Sequence, residues 1–346
     1  MLGSRRVVVV GCGIIGASVA WHLARIGAGV TLVDQHNGLA AGVTHASYGW
    51  VGTGSSFPPH NGQRFEMQKD ALDDFHRMEQ ALGALPIAAK GALVWLETAD
   101  ETENFIASQQ AMGARVEQIT QSDIQQLEPR ISAPPVAAAW LADDFAVDPI
   151  ALTNRLVHAS IKYGAQLYLG ETAQAIEIRG GRVAALRTTK RSIPADVIVL
   201  ASAGTMLPGA KDFQPELPVK YEPAVLLRFK TDEKLLKHLI CNADLELRPD
   251  IDGNLVVAAD YPERGEDGLA DLGTETGQLI GDLFSDSRIS LLSIAAASRP
   301  MTKNGLPFQQ FLPGVEGVYA VVGHPGIMLA PRLGKIAAQD VATFLS

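Results

Sequence analysis

Residues 5–35, RRVVVVGCGIIGASVAWHLARIGAGVTLVDQ, constrain the fold of this 346-residue chain more than any other stretch. Val7–Val10 form an unbroken β-branched run, which is typical of a strand buried on both faces. The following GCGIIG matches the GxGxxG pattern, and the spacing then predicts a helix over 14–26 and a second strand over 30–33. This order predicts a parallel βαβ unit at the start of an α/β fold.

Each part of this unit has a physical task in holding a dinucleotide. Gly11 permits a tight turn, Gly13 lets the backbone approach a pyrophosphate, and Gly16 lets the helix pack closely on the strand. The N–H groups and dipole at the start of the helix favour bound phosphates. Asp34 falls 18 residues after Gly16, where a carboxylate can accept hydrogen bonds from ribose hydroxyls. The unit therefore predicts a dinucleotide with an unphosphorylated ribose, and by itself it leaves NAD and FAD as alternatives.

The composition limits which binding partners and which cellular compartment we expect for this protein. The formal net charge of −9 argues against a nucleic-acid partner, which would favour a basic face. The two cysteines, Cys12 and Cys241, cannot build a disulfide framework or a CxxC metal site, so we predict a reducing compartment and no metal. Arg5 and Arg6 precede an apolar run as in a signal peptide, but glycines interrupt that run. We predict a soluble, cytoplasmic protein without a membrane span.

Different kinds of structure alternate along the rest of the chain. A long glycine-rich loop follows the second strand, and its length is typical of a functional loop. Helices are predicted over 63–82, 101–112 and 121–128, and another opens at Asp148-Pro149. Hairpin turns are predicted at Gly180-Gly181 and Asp252-Gly253, and the chain closes with a strand, a glycine turn and a helix. Parallel-type units thus bracket antiparallel blocks, which predicts two interleaved domains.

Five landmarks, in this order, resemble the flavoprotein family of D-amino acid oxidase, glycine oxidase and sarcosine oxidase. They are GCGIIGASVAWHLA…VTLVDQ, AAGVTHASYGW, VDPIALTNRL, ADVIVLASAG and SRPMTKNGLPF…GVYAVVGHPGIMLAP. The resemblance implies a Rossmann-like FAD-binding domain interleaved with an α+β substrate domain built on an antiparallel sheet. We assign residues 1–75, 145–215 and 295–346 to the first domain and residues 76–144 and 216–294 to the second.

The resemblance also implies which residues contact FAD. In the family the C-terminal glycine turn lies along the isoalloxazine, and VLASAG resembles the strand beneath the adenine, with a simple core strand as the alternative. The implied cofactor contacts are Gly11, Gly13, Ile14, Ile15, Gly16, Asp34, Gln35, Ala41, Gly42, Thr44, His45, Ala46, Ser47, Ala173, Ala201, Ala203, Gly204, Gly323, His324, Pro325, Gly326, Ile327 and Met328. Some relatives link FAD covalently through a histidine of this loop, but that histidine aligns with Ala46 here. We therefore expect non-covalent FAD.

Arg299 is the strongest candidate for substrate binding. It lies where the amino-acid-oxidising members place the arginine that binds the substrate carboxylate, and a guanidinium does so bidentately. A surface or ion-paired arginine is the alternative. Tyr48 and His45 are further catalytic candidates from the loop beside the flavin, although Tyr48 can equally pack against the cofactor.

Two features of the sequence depart from glycine oxidase or stay ambiguous. Glycine oxidase has a second arginine in its C-terminal turn, which GHPGIMLAP lacks, and its carboxylate-binding tyrosine is replaced near Glu246. Glu246 and Arg248 share one face of a strand, and we interpret that face as solvated. If the face instead lines the active site, Glu246 would select a cationic substrate.

The resemblance implies an FAD-dependent oxidoreductase that oxidises the C–N bond of an amino or imino acid. Hydride would pass from Cα to flavin N5, and water would hydrolyse the resulting imine. One alternative is a 2-hydroxy-acid dehydrogenase of the same fold, with His45 or His324 as its base. Another is the FAD-binding subunit of a heteromeric amino-acid or opine dehydrogenase. The expected partner is a small amino-acid-like substrate, with partner subunits or a homo-oligomer left open.

Overall fold

The computed structural model describes residues 5–205, 207, 217–285 and 288–346. Its strands are β1 (Arg6–Val10), β2 (Gly29–Val33), β3 (Trp50–Val51), β4 (Ile87–Val94), β5 (Glu117–Thr120), β6 (Ala137–Val147), β7 (Gln166–Tyr168), β8 (Ala173–Arg179), β9 (Arg182–Thr188), β10 (Ser192–Pro194), β11 (Val197–Leu200), β12 (Val219–Thr231), β13 (Leu239–Cys241), β14 (Glu246–Pro249), β15 (Leu255–Asp260), β16 (Ile289–Thr302), β17 (Phe308–Phe311) and β18 (Val318–Val322). Its α-helices are α1 (Ile14–Arg25), α2 (Gly62–Leu82), α3 (Ala99–Ala111), α4 (Gln121–Leu127), α5 (Pro149–Lys162), α6 (Leu269–Leu283) and α7 (Gly326–Leu345).

A six-stranded sheet in the order β17-β18-β11-β1-β2-β7 forms the first layer. All of its neighbouring strands are parallel except β17, which runs antiparallel to β18. Val7 and Val9 pack in a core with α1, α5 and α7, whereas Val8 and Val10 pack against the β8–β9 hairpin on the other face. Both faces of β1 are therefore covered, which explains its unbroken valine run and confirms the predicted βαβ unit.

A three-stranded sheet, β10-β9-β8, covers one face of the first sheet. The turn between β8 and β9 is Gly180-Gly181, with φ angles of 58° and 79°. Two consecutive residues in the left-handed region suit a two-residue hairpin turn, and glycine adopts them without a Cβ penalty. The predicted hairpin is confirmed.

A nine-stranded sheet forms the other main layer, in the order β16-β12-β15-β14-β13-β4-β6-β3 with β5 paired to β6. Its pairs are antiparallel, as predicted, except that β13 runs parallel to β4. These two strands come from distant segments, and no hairpin turn dictates their relative direction. The predicted turn at Asp252-Gly253 connects β14 to β15, and Gly253 has a φ of 87°.

The two large sheets draw on alternating stretches of the chain. Strands β1, β2, β7, β11, β17 and β18 belong to the first, whereas β3–β6 and β12–β16 belong to the second. The predicted domain boundaries at residues 145 and 295 fall inside β6 and β16, and the boundary at residue 215 lies outside the described residues. The two-domain division stays a prediction. Among the described helices, none combines the length and apolar character needed to cross a membrane.

Candidate functional site

A cavity of about 760 Å³ lies where the two large sheets meet. One side, which we call the turn side, consists of residues that directly follow β1, β2, β11 and β18, together with the loop 42–49. The other, the sheet side, consists of residues on β12, β14, β15 and β16 with Arg64 and Gln68 of α2. The carboxyl ends of parallel strands at a switch in strand order are a common place for a ligand. The cavity is of the size that small-molecule ligands occupy.

Two glycines bring backbone segments of the turn side into close contact. Gly11 has a φ of 106°, and a Cβ added to it would lie 2.7 Å from the carbonyl oxygen of Ala201. A Cβ on Gly16 would lie 1.9 Å from the carbonyl oxygen of Gly11. Any side chain at either position would force these segments apart, so the turn requires glycine at both.

Two helices begin at the cavity and direct their N-termini toward it. Gly13 precedes α1 and Pro325 precedes α7, and neither residue makes a side-chain capping bond. Ile14 N donates instead to Thr44 Oγ1 at 3.1 Å. Free N–H groups and the helix dipole favour negative charge at such positions. The turn side is therefore suited to phosphate and to an electron-rich ring.

Asp34 directly follows β2 and is held by its neighbours. Its carboxylate accepts hydrogen bonds from Cys12 N at 2.7 Å and His36 N at 2.9 Å. A carboxylate has about four acceptor positions, so further hydrogen bonds from ribose hydroxyls are available. Asp34 lines the cavity, as the sequence predicts.

Most of the sequence-predicted site residues line this one cavity. They are Gly11, Gly13, Ile14, Ile15, Asp34, Gln35, Gly42, Thr44, Ala46, Ser47, Tyr48, Ala173, Ala201, Ala203, Arg299, Gly323, His324, Pro325, Gly326, Ile327 and Met328. Four do not line it: Gly16, Ala41, His45 and Gly204.

The four residues outside the lining have other surroundings, and their contact with the cofactor stays a prediction. Gly16 is buried behind the turn, where it serves packing. Ala41 and His45 are exposed, and His45 lies on a single 3₁₀ turn, Val43–Ala46, beside the cavity. Gly204 instead lies near Tyr221, whose hydroxyl would be 3.0 Å from an added Cβ. Thr44 and Ala46, the neighbours of His45, line the cavity, and a catalytic role for His45 stays a prediction.

Arg299 projects from β16 into the cavity, and its Nε is buried without a hydrogen-bond partner among the described residues. Its nearest carboxylate is Asp260, with Arg299 Nη2 and Asp260 Oδ1 3.9 Å apart. The Asp260 side chain is fully exposed at 100%, so solvent screens this pair. The guanidinium is thus available to an anionic ligand.

Glu246 also lines the cavity, from β14. Burial raises its pKa to about 7, although Arg299 opposes this rise and Asp260 adds to it. Arg248, two residues further along the strand, is 0% exposed, and its Nε donates to the Tyr48 carbonyl oxygen at 2.7 Å. The interpretation of this face as solvated is therefore wrong, because Glu246 lines the cavity and the loop residue Tyr48 packs over Arg248.

Tyr48 and His324 complete the ionisable groups near Arg299. The Tyr48 hydroxyl is buried without a partner in the described structure, and burial raises its pKa well above the usual value, so it stays protonated. Burial, then Arg64 and Arg299, lower the pKa of His324 to about 4. The ring of His324 is therefore uncharged at neutral pH.

Arg64 and Gln68 are cavity residues that the sequence prediction missed. They lie one turn apart on α2, and each has a buried side-chain atom without a partner among the described residues, namely Arg64 Nε and Gln68 Oε1. Their spacing of four residues continues to Leu72 on the apolar face. The sequence signal that could have identified these two residues is that both polar side chains fall at positions of the apolar face of α2.

Comparison with known proteins places the chain in a family. The model of a family described as "FAD dependent oxidoreductase" matches residues 6–340 of this chain. Glycine oxidase from Pseudomonas aeruginosa is 25% identical over 97% of this chain and 94% of its own length. The solved structure of glycine oxidase from Bacillus cereus has a TM-score of 0.83 at 21% identity and covers 97% of both chains.

A further solved structure contains the cofactor. Dithionite-reduced L-α-glycerophosphate oxidase from Mycoplasma pneumoniae, with FAD bound, has a TM-score of 0.77 at 17% identity and covers 98% of this chain and 95% of that chain. The chain belongs to the FAD dependent oxidoreductase family, and its cofactor is FAD. The paired glycines, the two helix N-termini and Asp34 fit that dinucleotide, and the predicted family is confirmed.

Proposed function

We propose that this protein oxidises the C–N bond of an amino or imino acid, with Arg299 binding the substrate carboxylate. The observation that carries the proposal is the guanidinium of Arg299 in the cavity, with its Nε unpartnered and Glu246 facing it. The glycine oxidases among its relatives act on an amino acid, which supports the same substrate class here.

Arg299 is suited to position the substrate. A guanidinium donates two parallel hydrogen bonds to a carboxylate, and these fix both the distance and the plane of the bound group. Such binding would also satisfy a buried donor that otherwise lacks a partner. Cα of the substrate is then held in one orientation toward the turn side.

Glu246 and Tyr48 are suited to bind the amine. Above a pH of about 7 Glu246 is ionised and can accept a hydrogen bond, or the proton, from a substrate ammonium group. The protonated hydroxyl of Tyr48 has a donor free for the carboxylate or the amine nitrogen. Loss of the ammonium proton frees the nitrogen lone pair that forms the C=N bond.

FAD would supply the acceptor for the two electrons that leave Cα of the substrate in this oxidation. The substrate nitrogen loses one proton, and the imine so formed is hydrolysed by water to a keto acid and ammonia or an amine. His324 favours this chemistry over the oxidation of a 2-hydroxy acid. Its lowered pKa of about 4 makes it a weak base for a hydroxyl proton, and His45 does not line the cavity.

Anaerobic reduction of the bound flavin tests the proposal. The yellow holoenzyme is mixed with a panel of D- and L-amino acids, N-substituted glycines and 2-hydroxy acids. The absorbance of the oxidised flavin, at about 450 nm, is followed over time. Bleaching by amino or imino acids alone is expected. Bleaching by 2-hydroxy acids alone, or by no member of the panel, would overturn the proposal. Reoxidation of the bleached enzyme by oxygen or by an artificial acceptor then identifies the class of electron acceptor.

A further inference from the structure

The sheet side of the cavity contains a second arginine that the proposed reaction does not use. Arg64 lines the cavity together with Arg299, and the Nε atoms of both are buried without a hydrogen-bond partner in the described part of the chain. A guanidinium that is partly removed from water without a partner is costly, so residues of this kind commonly serve a ligand.

The fold holds Arg64 beside the end of β16. Asn61 caps α2, with its Oδ1 accepting from Arg64 N at 3.0 Å. The Nδ2 of the same Asn61 donates to the carbonyl oxygen of Asn304 at 3.1 Å, in the turn that directly follows β16. Burial, and then the positive charge of Arg299, lower the pKa of Arg64. The two guanidiniums therefore face the same space.

The charges around this space do not balance. Four carboxylates line the cavity, but Glu171 pairs with Arg191 at 2.9 Å, and Asp34 is held by backbone N–H groups on the turn side. Asp260 is fully exposed, which leaves Glu246 as the one half-buried carboxylate on the described sheet side. His324 is uncharged. Two arginines thus face one carboxylate.

A simple amino acid does not remove this imbalance. Its carboxylate would neutralise Arg299 and its ammonium group would match Glu246, so Arg64 would stay unpaired. A substrate with one more carboxylate would neutralise Arg64 as well. The side chain of Gln68, one helical turn from Arg64, lines the same part of the cavity and can add a hydrogen bond.

We propose that the substrate is an amino or imino acid carrying a second carboxylate, which Arg64 binds while Arg299 binds the first. This inference rests on the proposed function. The second carboxylate can belong to the side chain, as in glutamate, or to the substituent on nitrogen, as in iminodiacetate. Both present the same chemistry to Arg64, and the substrate pairs below separate them.

Matched substrates isolate the second carboxylate. D- and L-glutamate are compared with D- and L-norvaline, and iminodiacetate is compared with N-ethylglycine, so that in each pair a methyl group replaces one carboxylate. We expect the dicarboxylate of at least one pair to reduce the flavin with a kcat/KM at least about 10-fold higher than its partner, as a charge-assisted contact implies. The pair that shows this preference identifies the position of the carboxylate.

Variants on α2 assign the preference to Arg64. Arg64→Met should bring the ratio of kcat/KM within the preferred pair toward one, mainly through KM for the dicarboxylate, and Arg64→Lys should keep part of it. Arg77→Met is the matched control, because Arg77 is an exposed residue of the same helix that pairs with Asp74. It should keep the native ratio.

A binding measurement gives a second readout. Glutarate and pentanoate are titrated into the holoenzyme, and the perturbation of the flavin spectrum gives their Kd values. Glutarate should bind at least about 10-fold more tightly in the native protein and lose that advantage in Arg64→Met.

Three outcomes would overturn the inference while leaving the proposed function intact. They are equal kcat/KM values within every pair, a preference for the monocarboxylates, and an Arg64→Met variant that lowers both members of a pair by the same factor. The last would show that Arg64 does not discriminate between the two members of a pair. Failure of every amino and imino acid to bleach the flavin would instead overturn the proposed function.

Discussion

The two sides of the cavity are built from different materials. The turn side presents backbone N–H groups at two helix N-termini, close-packed glycines and one oriented carboxylate, Asp34. The sheet side presents ionisable side chains, and burial shifts the pKa of Glu246 upward and that of Arg64 downward. Backbone groups suit a cofactor that many proteins share, whereas side chains can be exchanged without altering the fold. From this difference we infer that separable parts of the site bind cofactor and substrate, and the predictions below test that inference.

The largest effect is expected on the sheet side, at Arg299. Arg299→Ala removes a bidentate, charge-assisted contact, so kcat/KM for a carboxylate substrate should fall at least ~100-fold. Arg299→Lys should recover part of this loss, since it keeps the charge without the planar fork. FAD content, measured by absorbance, should stay normal if the two sides are separable.

The control for this change is Lys303→Ala, an exposed cation just beyond the end of β16. It should oxidise substrate as the native protein does. Esterified substrates should bind poorly to the native enzyme and lose their disadvantage in Arg299→Ala. Equal rates of flavin reduction by native and Ala proteins with a carboxylate substrate would make Arg299 structural.

The opposite pattern is expected on the turn side, at Asp34. Asp34→Ala should weaken FAD retention by about 10- to 100-fold, because hydrogen bonds to a charged acceptor contribute about 1.5–3 kcal/mol. The rate per bound flavin at saturating substrate should change little. Flavin content after desalting and a Kd from fluorescence titration provide the measurement.

The matched control for Asp34 is Asp73→Ala, an exposed carboxylate on α2. In the native protein, acid or heat should release the flavin into the supernatant, as expected for non-covalent FAD. Yellow colour that stays with the precipitate would contradict this, and undiminished FAD affinity in Asp34→Ala would remove Asp34 from the site.

A pH profile sharpens the account of Glu246. Because burial raises its pKa to about 7, kcat/KM should rise as the pH passes through that value and Glu246 ionises. Glu246→Gln should abolish this limb of the profile and lower kcat/KM about 10-fold above it. Glu103→Gln, at an exposed position of α3 outside the cavity lining, should keep the native profile. If Glu246→Gln keeps this rise in kcat/KM, another group is responsible for the titration.

The smallest effect concerns Asp144 on β6, which holds the segment that follows β3. Its carboxylate accepts from Trp50 Nε1 and Gly54 N, each at 2.8 Å, and Trp50 lines the cavity. Burial raises its pKa to about 6 against these hydrogen bonds. A raised acid pKa contributes stability that is present at low pH and is lost as the pH rises through the folded-state pKa.

The free energy of unfolding of the holoenzyme should therefore decrease between pH 5 and pH 7.5 by on the order of 1 kcal/mol through this group. Urea unfolding at the two pH values measures the decrease. Asp144→Asn should flatten the dependence, although it costs stability at both pH values because one donor loses its acceptor. If the native protein is instead more stable at pH 7.5 than at pH 5, and Asp144→Asn removes that difference, the direction assigned to the pKa shift of Asp144 is wrong.

Short-range patterns determined much of the fold. The valine run, the glycine turn and the following helix predicted the βαβ unit, and the hairpin at Gly180-Gly181 formed as expected. These features depend on neighbours only a few residues away, through backbone sterics and periodicity. Such patterns pointed to the glycine turn and Asp34, whereas the other turn-side residues were implied by the family resemblance, and their contacts with FAD stay a prediction.

Tertiary structure decided the rest, and chiefly the sheet side. Glu246 and Arg248 have a strand pattern that fits a solvated face, but packing buries Arg248 and places Glu246 at the cavity. Arg64 reaches Arg299 because α2 packs beside the end of β16. His45, although it belongs to the loop of the turn side, is exposed to solvent. Burial and the convergence of charges depend on elements that meet only in the folded chain, and a residue's sequence neighbours carry no record of them.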